Sequence, residues 1–259
     1  MQTPISVFII TKNEEDRILD VINAVKTIAD EILVIDSGSS DKTCEIATRA
    51  GAKVMFNAWQ GFGQQKIFGE NQCRNKWILN IDADEEVSAE LCKEIQTTFA
   101  KISQEDFYGF RVKIVNRFRF EKQPHKYAYF YNQLRLYNKD YAGFKNSAVH
   151  DSVELRDGAL DKVGQLRNII FHQSFRSFSH WIEKINFYSQ MQAQDSFNKG
   201  KCPSIAKILF VSSAAFLKAY FVRRYCIYGF NGLTYSYLFA FSRLAKAIKT
   251  RELFQEKNQ

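Results

Sequence analysis

The chain lacks the marks of several protein classes. Its five cysteines, Cys44, Cys73, Cys92, Cys202 and Cys226, are odd in number, irregularly spaced and never form a CxxC pair. That argues against a disulfide framework or a zinc knuckle and for a reducing compartment, with the thiols serving as small apolar side chains. The opening stretch MQTPISVFIITKNEE has no basic segment and no small-residue cleavage pattern, so it reads as a first β-strand rather than a signal peptide. A dinucleotide site would need G-x-G-x-x-G after that strand. The sequence there is Thr11-Lys12-Asn13-Glu14-Glu15, without a glycine, and no GxxxxGK[ST] loop occurs elsewhere. Also missing are a Ser/His/Asp or Cys/His constellation, an internal repeat, a low-complexity linker and a nucleic-acid-binding module, so no nucleic-acid partner is expected.

Acidic residues are scarce in one place only. Residues 197–259 carry 11 Lys/Arg against Glu252 and Glu256, a balance of +9, whereas residues 1–196 carry 25 against 26, a balance of −1. The net charge of +8 therefore belongs to the last quarter of the chain.

The first hundred residues alternate short β-branched runs with helical spacing. Strands are expected at Ile5–Thr11, Glu31–Asp36, Lys53–Phe56 and Trp77–Asp82. Helices are expected over Glu14–Ile28, from a cap at Asp41 to Ala50, and from a cap at Ser88 through Phe99. This rhythm implies βαβ units and a largely parallel sheet, whose ligands bind beyond the carboxyl ends of the strands. Asn13, Glu14, Asp36, Asp82 and Asp84 all fall there. From Phe107 to about His172 the pattern turns to strands and long loops, in which Arg111, Arg135 and the His150-Asp151 pair stand out. From Phe178 onward it is helical again.

Asp82-Ala83-Asp84 is the sharpest signal. At a strand end, residues i and i+2 share a face, so the two carboxylates converge and suit a hard cation such as Mg²⁺ or Mn²⁺ together with a diphosphate. The same triplet also reads as a solvated acidic turn that opens the next helix. Asp36, followed by Ser-Gly-Ser-Ser, is either a contact for a ribose or base edge or a plain strand-to-helix loop with a cap.

Taken together, Phe8-Ile9-Ile10-Thr11-Lys12-Asn13-Glu14-Glu15, Ile35-Asp36-Ser37-Gly38-Ser39-Ser40-Asp41 and Ile81-Asp82-Ala83-Asp84-Glu85 resemble inverting family 2 glycosyltransferases of GT-A fold. Gln60-Gly61-Phe62-Gly63-Gln64-Gln65-Lys66, Val149-His150-Asp151 and Tyr228-Gly229-Phe230-Asn231-Gly232-Leu233 are similar to the lipopolysaccharide inner-core β-1,4-glucosyltransferase subgroup. That resemblance implies an α/β fold, a GT-A type mixed, mostly parallel sheet flanked by helices, with a C-terminal helical membrane-associating extension. The catalytic domain would span residues 1–175 and the basic, aromatic extension residues 176–259.

The resemblance also implies the chemistry. A UDP-sugar donor would be lined by Thr11, Asn13, Glu14 and Asp36, with Lys66 near its phosphates or sugar. Asp84 would be the principal metal ligand, and Asp82 would contact the ribose or the metal. Asp151 would be the general base, taking a proton from an acceptor hydroxyl on the lipopolysaccharide core or another lipid-linked acceptor. The subgroup often has Glu at that position and Asp where this chain has Asn231. His150 and Arg135 would be supporting residues, although a loop histidine making structural hydrogen bonds serves equally for His150.

Two apolar aromatic runs, Ile208–Leu217 and the 17-residue Cys226–Ser242, are short for crossing a bilayer and are flanked by Lys and Arg. They suit helices lying on an anionic membrane surface, or helices packed with a solvated basic face. The first alternative places the protein in the cytoplasm, peripherally on the inner face of the cytoplasmic membrane. Competing readings are transfer to a polyprenyl phosphate or another glycolipid, and a non-catalytic membrane-associated scaffold.

Overall fold

The computed structural model describes residues 4–101, 106–118, 121, 123–145, 152–156 and 162–257. They form two units, Met1–Val115 with Phe130–His172, and Asn116–Tyr129 with Gln173–Gln259. The segment 116–129 thus groups with the C-terminal residues, although it lies inside the span expected for the first domain.

In the first unit, β1 (Ile5–Thr11), β2 (Glu31–Asp36), β3 (Lys53–Phe56) and β4 (Trp77–Asp82) run parallel in the order β3-β2-β1-β4. All seven residues of β1 are buried, as a parallel strand covered on both faces requires. Alternation sends Val7 and Ile9 into one core and Phe8 and Ile10 into the other. The first core is closed by α1 (Ile18–Val25), through Ile18, Val21, Ile22 and Val25, and by α4 (Ala89–Lys101), through Leu91, Cys92 and Ile95. Each such side chain contributes about 1.5–3 kcal/mol by leaving water. Helix α1 begins at Ile18 rather than Glu14 because residues 14–17 form a turn that belongs to the site.

The second core lies under α3 (Phe62–Gln72). Its sequence, FGQQKIFGENQ, gives no apolar helical period because three of its buried residues are polar: Gln65, Lys66 and Glu70. Burial pushes the neighbouring Cys73 thiol up to about 12, which keeps it protonated.

Beyond β4 the sheet becomes mixed. It continues through β7 (Phe130–Asn138), β6 (Gly109–Asn116), β10 (Val163–His172) and β5 (Glu85–Val87), with β4–β7, β6–β7 and β10–β5 antiparallel. Helix α2 (Thr43–Arg49) links β2 to β3, and β8 (Ala142–Phe144) pairs with β9 (Val153–Leu155) in a small second sheet. The expected mixed, mostly parallel sheet flanked by helices is present, and its ladders place Thr11 beside Asp36, Asp82 beside Ile10, and Glu85 opposite His172.

The second unit is helical: α5 (Phe178–Asn198), α6 (Ile205–Leu217) and α7 (Gly229–Lys257), with a π turn at Lys218–Val222 and a 3₁₀ turn at Tyr225–Tyr228. Ser177 and Ser204 cap α5 and α6 through their hydroxyls. Phe118, Phe175, Tyr225 and Tyr235 form its aromatic core, with the Phe118 and Tyr235 rings stacked 4.2 Å apart.

Candidate active site

The loops after β1 and β2 are tied to each other residue by residue. Asn13 adopts φ 55°, a conformation that Asn tolerates better than most residues. Its backbone N–H donates to Ser39 Oγ at 2.9 Å, and its amide oxygen accepts from the Ser40 N–H at 2.8 Å. The Glu14 N–H donates to Thr43 Oγ1 at 2.7 Å, and Glu15 Oε2 accepts from the Lys42 N–H at 2.9 Å. Asp36 accepts from the Gly38 N–H at 2.9 Å and from the Ser39 N–H at 3.0 Å, and also from the Ser39 hydroxyl. Asp36 and Asn13 therefore act first as fasteners that shape the concave edge. Thr11 lies beside them, and its hydroxyl is buried with no hydrogen-bond partner among the described residues. An unpaired buried hydroxyl costs about 1–3 kcal/mol unless something in the site satisfies it.

The carboxyl end of β4 carries the charge. Lys66, fully buried on α3, places Nζ 2.9 Å from Asp82 Oδ1. Arg135 on β7 donates to Glu85 Oε1 at 2.7 Å and to Asn80 Oδ1 at 2.9 Å, and stands 3.5 Å from Asp82 Oδ2. Glu85 also accepts from the Asp82 N–H at 2.9 Å, closing the ring. Burial opposes ionisation of Asp82, but Lys66 and Arg135 outweigh it and hold the carboxyl below the usual range. At Glu85 burial prevails over the pull of Arg135, and its pKa is raised.

Asp84, in the turn between β4 and β5, faces a different partner. Its Oδ2 lies 3.4 Å from Nε2 of His172 at the end of β10. Burial disfavours the imidazolium of His172, but Asp84, and then Glu85 and Asp82, raise its pKa. The two acidic residues of the triplet are thus separated in role: Asp82 is neutralised by Lys66 and Arg135, while Asp84 presents an oxygen donor next to an imidazole nitrogen. Among the described residues no group of three or more His, Cys, Asp and Glu could hold an ion by itself. A divalent cation fits Asp84 and His172 only as a shared ion completed by ligand oxygens and water, the usual situation of Mg²⁺ with phosphates.

Beside Arg135 opens a cavity of about 170 Å³ lined by Arg111, Asn132, Gln133 and Ser152 among others. His150 and Asp151, which precede Ser152, lie outside the described residues.

Comparison with known proteins gives the family. The family model for glycosyl transferase family 2 matches residues 6–156, which contain Thr11, Asp36, Lys66, Asp82 and Asp84. The chain belongs to the family 2 glycosyltransferases. An uncharacterized glycosyltransferase of Rickettsia bellii is 44% identical over 254 residues, covering 96% of this chain and 86% of that protein. The lipopolysaccharide core biosynthesis glycosyltransferase LpsC of Rhizobium meliloti is 30% identical, covering 84% of this chain and 81% of its own length. Among solved structures, glucosyl-3-phosphoglycerate synthase from Mycobacterium tuberculosis, in complex with phosphoglyceric acid, overlaps with a TM-score of 0.48 at 16% identity, covering 78% of this chain and 82% of that one.

In this family 2 glycosyltransferase the structure brings Thr11, Asn13, Glu14 and Asp36 together, and it joins Lys66, Asp82 and Arg135. Sequence reasoning missed Asn80, Glu85 and His172. Only His172 leaves a trace in the sequence: Ile169-Ile170-Phe171 is an apolar strand run that ends on a metal-binding side chain, as Trp77–Ile81 ends on Asp82.

Proposed function

We propose that the chain is an inverting hexosyltransferase that moves a hexose, glucose in the first instance, from a UDP-sugar to a heptose of the lipopolysaccharide inner core. The observation that carries the donor side is the Asp84–His172 pair at the strand edge, two residues from an Asp82 that Lys66 and Arg135 neutralise. The unpaired Thr11 hydroxyl on the locked β1 and β2 loops supplies a contact for the nucleoside. The acceptor class is supported by the likeness to the Rhizobium protein, whose name places it in lipopolysaccharide core biosynthesis.

Asp84 and His172 would hold Mg²⁺ or Mn²⁺, which when bound neutralises charge developing on the diphosphate leaving group. The chain's own residues do the rest. Lys66 and Arg135 fix Asp82 and keep it ionised without excess negative charge. Arg111, Asn132 and Gln133 line a cavity with donors and acceptors suited to sugar hydroxyls. Asp151 takes the proton from the attacking hydroxyl, so a single displacement turns an α-linked donor into a β product.

The test is transfer by the full chain with a panel of UDP-sugars and truncated lipopolysaccharides, with and without chelator, reading linkage by NMR. Glucose in β linkage on heptose, lost in Asp84→Ala and on chelation, is expected. Full transfer in excess chelator overturns the metal assignment. Full activity of Asp151→Asn removes that residue as base, and product on a different acceptor only overturns the substrate.

A further inference from the structure

Helix α6 is built inside out for a helix in water. Its sequence, IAKILFVSSAAFL, has one charged residue, Lys207. The buried side is small: Ala215 on the helix and Ala219 in the following π turn, against α7. The large side chains point the other way. Ile205, Leu209, Phe210 and Leu217 are 53–70% exposed, and Phe221 and Val222 after them are 62% and 63% exposed. Ile205 and Leu209 stand one above the other at four-residue spacing with Phe210 beside them, and Leu217 lies eight residues further on, past Ser213. A surface helix normally turns such a stripe inward, and a contiguous exposed patch of this kind marks an interaction surface.

The surrounding charge identifies what covers it. Between Asp195 and Glu252 the sequence has ten Lys or Arg and no Asp or Glu. Lys207 and Lys218 are exposed within the apolar run, and Arg224 is exposed just beyond it. An apolar face flanked by exposed cations complements anionic lipid headgroups over acyl chains.

Ile205–Val222 is also long and apolar enough to cross a membrane by length and composition. Two features favour lying flat instead. Lys207 and Lys218 sit inside the run, and its alanine side is engaged along α7, which carries Arg243, Lys246, Lys249 and Arg251. An in-plane helix sinks only one face, by about 5–10 Å.

We propose that the outward face of α6 and its π turn, formed by Ile205, Leu209, Phe210, Leu217, Phe221 and Val222, seats in the plane of an anionic bilayer surface. This surface uses no residue of the donor or metal site and stands independently of the acceptor assigned above.

The test is flotation of the full chain with phosphatidylcholine vesicles, with or without about 30% phosphatidylglycerol, at low and high salt. The wild type is expected to float with the anionic vesicles and to be released by salt and by alkaline carbonate. Leu209→Glu with Phe210→Glu removes two solvent-facing side chains, so circular dichroism and UDP binding stay unchanged while vesicle affinity falls by about a hundredfold. Lys207→Glu and Lys218→Glu each lower affinity for anionic vesicles by more than about fivefold and leave neutral vesicles unaffected. Failure of the wild type to float, or flotation of the double Glu variant at wild-type level, overturns the proposal. Retention through alkaline carbonate overturns the in-plane seating. A self-association that the double Glu variant abolishes, without vesicle binding by the wild type, assigns the face to a second copy of the chain instead.

Discussion

Lys66→Met tests the claim that Asp82 is held by the protein rather than left for a ligand. Lys66 is fully buried, and its Nζ is 2.9 Å from a carboxylate whose other cation among the described residues is Arg135 at 3.5 Å. Methionine keeps most of the side-chain volume, so the change removes charge more than packing. Breaking a buried ion pair on one side costs about 3–5 kcal/mol. Asp82 keeps Arg135 and is about a quarter exposed, which places the loss near the low end, about 3 kcal/mol. Against a total stability of about 5–15 kcal/mol this is a large shift, readable by urea unfolding of the full chain. The double variant Lys66→Met/Asp82→Asn leaves no orphaned charge and is expected to recover about half of the loss. The pH dependence follows from the depressed pKa of Asp82. Its contribution is present above the unfolded carboxylate value, about 3.9, and is lost as pH falls through the lower folded value. The gap between wild type and Lys66→Met should therefore close below about pH 4. A single-variant cost under about 1 kcal/mol, or a double variant as unstable as the sum of its parts, refutes the reasoning.

Thr11→Val replaces an unpaired buried hydroxyl by a methyl group, so stability should hold or rise while UDP affinity falls by about two- to tenfold; calorimetric titration showing unchanged affinity removes Thr11 from the donor site. Tyr137→Phe deletes the hydroxyl that donates to Glu70 Oε2 at 2.7 Å. Burial raises the Glu70 pKa and the tyrosine restrains that rise, so any stability the group gives is full below its unfolded value and lost as pH rises through the folded one. The variant's deficit should grow from little at about pH 4 to about 1.5–3 kcal/mol at about pH 7, and an equal deficit at both values would contradict the assignment. Gly232→Ala would drive a Cβ into the Tyr225 carbonyl oxygen, a backbone atom that cannot swing aside; a loss of about 1–3 kcal/mol or more in unfolding is expected.

The parallel half of the sheet was legible because β1, β2 and β4 are mostly buried apolar runs, and β3 is a short one between turn signals. The expected limits of β1 to β4 coincide with those observed. Helix α3 was not legible, since its buried face is Gln65, Lys66 and Glu70 and no apolar period marks it. Its polar residues are buried because Asp82, Asn57 and Tyr137 meet them, partners that sequence spacing does not reveal. The short β5 was hidden in the same way: Glu85 reads as part of an acidic turn until Arg135, fifty residues later in the chain, is seen to bind it. Residue type placed Asn13 and Asp36 at the site. Only the loop geometry shows that their polar atoms are already committed to Ser39, Ser40 and Gly38.

These committed contacts resolve a difficulty in the donor reading. Three carboxylates at one strand edge, Asp82, Asp84 and Glu85, should repel a diphosphate. Lys66 and Arg135 cancel two of those charges in a buried ring where they cannot be screened away. Asp84 lies instead beside the His172 imidazole. Once His172 gives up its proton, as a metal ligand must, the edge offers one carboxylate oxygen and one nitrogen donor. That suits one divalent cation, and the cation is then left with positive charge to spend on the phosphates. Mutating Lys66, which is fully buried behind Asp82, should for the same reason weaken diphosphate binding.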